Sequence, residues 1–99
     1  MSERFTAIIG GNGFVGSRLA RRFEVSEQAY RVFDIDDSSG ASGVSYANVC
    51  DLSSLDCLEG ADVIINLAAV HRDDVRPISL YDEVNVGGAH NVCRAAVKF

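Results

Sequence analysis

Long apolar runs are missing from this 99-residue chain: no stretch of eighteen apolar residues occurs, which excludes a membrane-spanning helix. Positive charge is scarce as well. Lys98 is the single lysine, the net charge is −5 at pH 7, and no stripe of Lys and Arg forms. A phosphate-backbone partner requires clustered cations, so nucleic-acid binding is excluded. Cys50, Cys57 and Cys93 are odd in number and lack C-x-x-C spacing, and neither His71 nor His90 stands at a useful offset from a cysteine. The expectation is reduced, mostly buried thiols and no metal site. The start, Met1-Ser2-Glu3-Arg4-Phe5, runs directly into an apolar stretch without a signal-peptide layout, so a cytoplasmic location is expected.

What is present is enough apolar residue for a real core, 47%, in a length that suits one small domain or part of a larger one. The most informative stretch is Ile8-Ile9-Gly10-Gly11-Asn12-Gly13-Phe14-Val15-Gly16. It places Gly10, Gly13 and Gly16 between an apolar run and an amphipathic one. A strand that turns on glycines and restarts as a helix exposes backbone N–H groups at the positive end of the helix, where a pyrophosphate binds well. One glycine makes the turn, one lets backbone approach phosphate, and one lets helix and strand pack closely. The bland alternative is a glycine-rich turn without a ligand.

The elements alternate along the chain. Phe5 to Ile9 is a short strand, followed by a helix from Phe14 to about Glu24 with Val15, Leu19 and Phe23 on one face. A second strand, Tyr30 to Ile35, leads to an acidic turn and then a small-residue loop, residues 38–43. Val44 to Val49 reads as a third strand, and Leu52 to Leu58 as a short helix or turn with Ser53 as its cap. Ala61 to Leu67 is an apolar strand of the kind covered on both faces. After a polar loop from Arg72 to Pro77, a long helix from Tyr81 to Val97 carries one stripe of Val84, Gly88, Val92 and Ala96 and a neighbouring one of Asn85, Ala89 and Cys93. Gly88 weakens that helix, so close packing against the sheet is expected there. Short connections between such elements imply parallel strands joined by right-handed crossovers. The predicted fold is α/β: the N-terminal half of a Rossmann-type doubly wound parallel sheet, strand order 3-2-1-4.

Several residues fit dinucleotide chemistry. Asp34, eighteen residues past Gly16 at the end of the second strand, can accept hydrogen bonds from ribose hydroxyls and repel a 2′-phosphate. No arginine stands beside it, so NAD is expected over NADP; Asp36 and Asp37 read as a solvated turn. Asp51, followed by Leu52, either approaches the adenine amino group or caps the helix after it. Asn66-Leu67-Ala68-Ala69 closes the fourth strand with small residues against which a cofactor can lie.

Taken with Asn85-Val86-x-Gly88-Ala89-x-Asn91-Val92, these motifs resemble the extended short-chain dehydrogenase/reductase family, in its NAD-dependent epimerase/dehydratase branch that works on nucleotide sugars. The similarity runs from Phe5 to the end. It implies that Gly10, Gly13, Phe14 and Val15 line a pyrophosphate, Asp34 the ribose, and Asp51 and Leu52 the adenine. Leu67, Ala68 and Ala69 would flank the middle of NAD and its nicotinamide side. Asn85 matches the family's buried helix asparagine, which supports the active site; a polar contact at the helix start is the alternative. His71 either faces ligand or lies on a solvent-exposed loop, and Arg72 and Arg76 stand beside Asp73 and Asp74 in what reads as a self-paired loop. His90 reads as structural or surface.

The chain departs from the family pattern twice. Ile9 stands where a Thr or another small polar residue usually precedes the double glycine. The family's Tyr-x-x-x-Lys acid/base pair is absent, because the residue four before Lys98 is Arg94 and Tyr81 is followed at that spacing by Asn85. No catalytic residue is therefore expected within the chain. Two readings are open: residues 1–99 are the NAD-binding part of an enzyme whose catalytic and sugar-binding parts come later, or they form a truncated, non-catalytic nucleotide- or protein-binding module. A nucleotide-sugar partner belongs only to the first. In the second, truncation leaves the fourth strand without the fifth that normally lies beside it. An isolated 1–99 chain is then expected either to self-associate through that edge or to bind NAD only weakly.

Overall fold

The computed structural model describes residues 4–35, 43–68 and 82–99. The acidic turn at Asp36 and Asp37, Ala69, His71, the polar loop from Arg72 to Pro77 and Tyr81 lie outside the described residues.

The centre of the molecule is β1 (Phe5–Ile9), where four of five residues are buried. Its side chains alternate between two layers, as a pleated strand requires. Phe5, Ala7 and Ile9 enter the main core, while Ile8 faces the other side of the sheet, with Val32 beside Gly11. β1 pairs in parallel with β2 (Tyr30–Asp34) and with β4 (Ala61–Asn66), and β2 pairs in parallel with β3 (Val44–Tyr46). The strand order β3-β2-β1-β4 is the one predicted. Register brings Ile9 level with Phe33 on one side and Asn66 on the other, and Asp34 level with Tyr46, so the carboxyl ends of all four strands open onto one rim.

α1 (Phe14–Val25) crosses from β1 to β2. Its inward stripe is Gly16, Leu19, Ala20 and Phe23 rather than the predicted Val15, Leu19 and Phe23. Val15 is 60% exposed, because Gly16 is the residue that meets the turn and a position one step earlier in a helix points about 100° away. On the opposite face, a 3-10 helix (Leu52–Leu58) and α2 (Ala89–Lys98) close the core with Leu55, Leu58, Val92 and Ala95.

Five further expectations are corrected. β3 stops at Tyr46, short of Val49, since the backbone peels away to meet the 3-10 helix. That helix is capped by Asp51, not Ser53: the carboxylate accepts from the Ser53 N–H at 3.1 Å and from its hydroxyl at 2.7 Å. β4 is not covered on both faces, with Asp62 and Val63 exposed, because no described helix lies over that side of it. The long C-terminal helix is two pieces, a π-helical stretch (Asp82–Gly88) followed by α2. The change of pitch rotates the buried stripe, so Ala95 rather than Ala96 is internal, and Gly88 packs against Val49 instead of the sheet. The cysteines are free, but not mostly buried. Cys50 and Cys93 are exposed and Cys57 is half-buried. Among the described residues, no helix is long and apolar enough to cross a membrane.

Candidate functional site

The turn after β1 is built by two glycines that nothing else could replace. Gly10 has φ +78°, and a Cβ there would lie 2.9 Å from the backbone of Leu67 and Ala68 at the end of β4. At Gly16 a Cβ would come within 2.6 Å of the Gly10 carbonyl oxygen, with Gly11 Cα closer still. Gly13 differs from both. Its backbone is ordinary extended chain, φ −84° and ψ −174°, and a Cβ would meet only the Gly10 oxygen at 3.4 Å. Among the described residues, neither strain nor packing demands glycine at position 13.

Gly13 is also the N-cap of α1 and supplies no side-chain acceptor. The first helical bond is donated by the Ser17 N–H to the Gly13 carbonyl at 2.9 Å. Helix geometry leaves the N–H groups of Phe14, Val15 and Gly16 without an intrahelical acceptor, at the end of the helix where the peptide dipoles are positive. Phe14 and Val15 are exposed, so this end opens to solvent.

Asp34 ends β2 beside this turn. One of its carboxylate oxygens accepts a hydrogen bond from the Asn12 backbone N–H at 3.0 Å, and the Phe33 carbonyl accepts from the N–H groups of Gly10 and Gly11 at 2.8 and 3.2 Å. On the other flank, the Leu67 N–H donates to the Ile9 carbonyl at 2.8 Å, and the Asn66 side chain accepts from the Ala68 N–H at 3.1 Å. The end of β1 is thereby tied to both neighbouring strands.

A cleft of about 500 Å³ lies along the strand ends. Of the residues predicted from sequence, Gly10, Gly13, Asp34, Leu67 and Ala68 line it, and Phe14 and Val15 follow Gly13 in the first turn of α1. Asp51 and Leu52 do not line it. Asp51 is occupied with its cap, and Leu52 turns toward a small hollow shared with Arg94 and Lys98. Asn85 is exposed rather than buried, because the π-helical turn carries it away from the core. Sequence reasoning missed Ile35, Ala47, Asn48, Val49 and Cys50 on the β2–β3 side, and Glu83 and Val84 opposite. A signal was available: Ile35 ends the predicted second strand, Ala47 to Val49 close the predicted third, Cys50 follows it, and Glu83 and Val84 precede Asn85. A larger hollow of about 890 Å³ runs along α1 and β2 beside Ala20, Arg21 and Tyr30. It lies away from the strand ends, where ligands of open α/β sheets bind. No cluster of His, Cys, Asp and Glu among the described residues could hold a metal.

A glycine turn, an uncapped helix start and an acidic strand end converge on a cleft at the point where the strand order reverses. The model of the 3-beta hydroxysteroid dehydrogenase/isomerase family matches residues 7–99. The chain belongs to this family. One similar curated protein is an Escherichia coli O157:H7 N-acetyl-alpha-D-glucosaminyl-diphospho-ditrans,octacis-undecaprenol 4-epimerase. It is 39% identical over 95 residues, covering 92% of this chain but 28% of the epimerase. The chain therefore spans less than a third of the length of the curated relative it matches. Among solved structures, a short-chain dehydrogenase/reductase superfamily protein from Agrobacterium tumefaciens with bound NAD superposes with TM-score 0.80 at 22% identity, over 93% of this chain and 28% of that one. The Thermus thermophilus UDP-glucose 4-epimerase complex with NAD gives TM-score 0.78 at 22% identity, over 92% and 33% respectively. These two likenesses concern the fold. Together with the family match and the epimerase relative, they bear out the resemblance to extended short-chain dehydrogenases and reductases, and to their epimerase/dehydratase branch.

Proposed function

We propose that the chain is the NAD-binding N-terminal region of an oxidoreductase resembling nucleotide-sugar epimerases and dehydratases. The observation that carries this is Gly13. Gly10 and Gly16 are explained by φ and by packing, whereas Gly13 borders the cleft in a conformation open to any residue, and close approach of a ligand to its backbone accounts for it. The residues present fit the cofactor: bare N–H groups at Phe14 and Val15 for the pyrophosphate, and the Asp34 carboxylate for ribose hydroxyls. The small residues Leu67 and Ala68 leave room at the strand ends, and Ala69 continues that motif.

When bound, NAD would supply reversible hydride acceptance. The chain's own residues bind and orient it: α1 neutralises phosphate charge, Asp34 selects against a 2′-phosphate, and the ties from Ile9 to Leu67 and from Phe33 to Gly10 hold the turn rigid. No residue of 1–99 is assigned acid/base work, since the Tyr-x-x-x-Lys pair is absent, and the chain alone is expected to be inactive. The catalytic and sugar-binding parts belong to a longer protein. The nucleotide-sugar ligand in the complex of MoeE5 with UDP-glucuronic acid and NAD supports that substrate class, while the E. coli relative's name supports 4-epimerase chemistry on a diphosphate-linked sugar carried by undecaprenol instead of a nucleotide. A cytoplasmic setting and partners other than nucleic acid or membrane are part of the same reading, as is self-association of the 99-residue chain through the outer edge of β4. Isothermal titration of NAD and NADP tests it. NAD should bind at least about tenfold more tightly; tighter NADP binding, or no binding of either, refutes it.

A further inference from the structure

The wall of the cleft beyond Asp34 is the segment after β3: the Ala47 N–H still donates to the Asp34 carbonyl at 3.1 Å, and residues 48–50 then run on toward the 3-10 helix. The group that holds that loop comes from α2. The Asn91 side-chain amide donates to the Val49 carbonyl oxygen at 2.9 Å across 42 residues of sequence, in a partly buried position. Directly beneath, Gly88 is buried so closely under Val49 that a Cβ would lie 2.5 Å from Val49 Cγ2. From the other side the Ser54 hydroxyl donates to the Asn48 carbonyl at 2.8 Å. Asn48 and Val49 both line the cleft.

We infer that Asn91 is a positioning residue for the adenosine half of the dinucleotide: it fixes the Val49 backbone, and through it the cleft wall next to Asp34. The inference rests on the proposed NAD site. Strand order carries it there. Phosphates sit at the turn after β1 and ribose at the end of β2, so the next group outward meets the segment after β3. That is the Ala47–Cys50 loop. Asn91 does not line the cleft and touches no ligand; it acts through one carbonyl oxygen. Its loss leaves that oxygen without its donor and loosens the Val49 backbone between the ties that remain at Ala47 and Asn48.

The test uses the complete protein and two variants, Asn91→Leu and Asn91→Asp. The second has the volume of asparagine and serves if the first does not fold. Titrations with AMP and NAD read the effect, and melting curves confirm that each variant is folded at the titration temperature. Removing one bond to a partly buried carbonyl predicts a five- to tenfold, roughly, weakening for AMP. NAD should weaken by the same factor, so that the ratio of the two affinities stays within about twofold. A disturbance spread through the fold changes that ratio, because it also reaches the nicotinamide side. Unchanged AMP affinity in a folded variant overturns the inference, and so does a loss that falls mainly on NAD. If the unsubstituted protein binds neither AMP nor NAD, the underlying reading fails instead.

Discussion

Substituting Gly13 by alanine separates binding from folding. The new Cβ meets only the Gly10 carbonyl oxygen, at 3.4 Å, and the backbone at φ −84° suits alanine. Alanine is a poorer N-cap than glycine by about 0.5–1 kcal/mol. Restriction of the unfolded chain offsets this by about 0.4–1 kcal/mol, leaving stability nearly unchanged. Binding behaves differently. A methyl group at the mouth of the turn holds the pyrophosphate away from the Phe14 and Val15 N–H groups, and each hydrogen bond to a charged group contributes about 1.5–3 kcal/mol. Losing one or two weakens NAD by roughly ten- to a hundredfold or more. Gly16→Ala is the contrasting control. Its Cβ meets backbone, 2.6 Å from the Gly10 oxygen, so α1 must move, at a cost of about 1–3 kcal/mol typical of overpacking. Melting curves and NAD titrations on the same samples distinguish them: Gly13→Ala should keep its Tm and lose NAD, while Gly16→Ala loses both. A folded Gly13→Ala protein that binds NAD normally refutes the reasoning, as does one that melts as early as Gly16→Ala.

Asp34→Asn keeps an acceptor for the Asn12 N–H but removes the charge, so NAD affinity should fall about tenfold while NADP loses less; equal losses in parallel titrations would count against charge-based selection. Asp51→Ala removes the cap of the 3-10 helix and should cost about 1 kcal/mol in denaturant melts, with NAD affinity unchanged, whereas a large affinity loss would return Asp51 to the adenine site. Burial pushes the Cys57 thiol pKa above its ordinary value, helped by neighbouring Asp56, so less reactive thiolate is present at any given pH. Cys50 and Cys93 should therefore react with a thiol reagent first at pH 8 and Cys57 last, as peptide mapping would read. Val63→Lys puts charge on the open face of β4 and should shift the 99-residue chain toward monomer in size-exclusion chromatography; unchanged elution argues against association by that route.

The parallel sheet was legible because its cues are local: β1 is apolar at every position but Thr6, Gly10 and Gly16 follow it, and Asp34 ends β2. The rest depended on tertiary geometry. Position 15 reads as a core residue by periodicity, but the close approach of Gly16 to Gly11 sets the rotation of α1 and turns Val15 outward. The exposure of β4 has the same origin, since an apolar sequence says that a face can be covered and only the neighbouring elements decide whether it is. Asp51 illustrates a local competition. A carboxylate two residues before Ser53 can serve a ligand or a helix start, and in this chain it bonds the Ser53 N–H. The Ala47–Cys50 wall was missed because Val44 to Val49 reads as one continuous strand, whereas β3 stops at Tyr46 and the segment after it is bonded at Val49 by Asn91, far along the chain.

The bond from the Asn12 N–H to the Asp34 carboxylate gives one side chain two duties. On the proposed NAD reading, the carboxylate that selects between cofactors also latches the loop proposed to hold their shared phosphates. A redesign that exchanges Asp34 for a small neutral residue to admit NADP would gain room for the extra phosphate and unlatch the loop in the same step. Cofactor preference here cannot be retuned one position at a time: the replacement must bring its own acceptor for Asn12, or the protein will accept the new cofactor and hold both of them poorly.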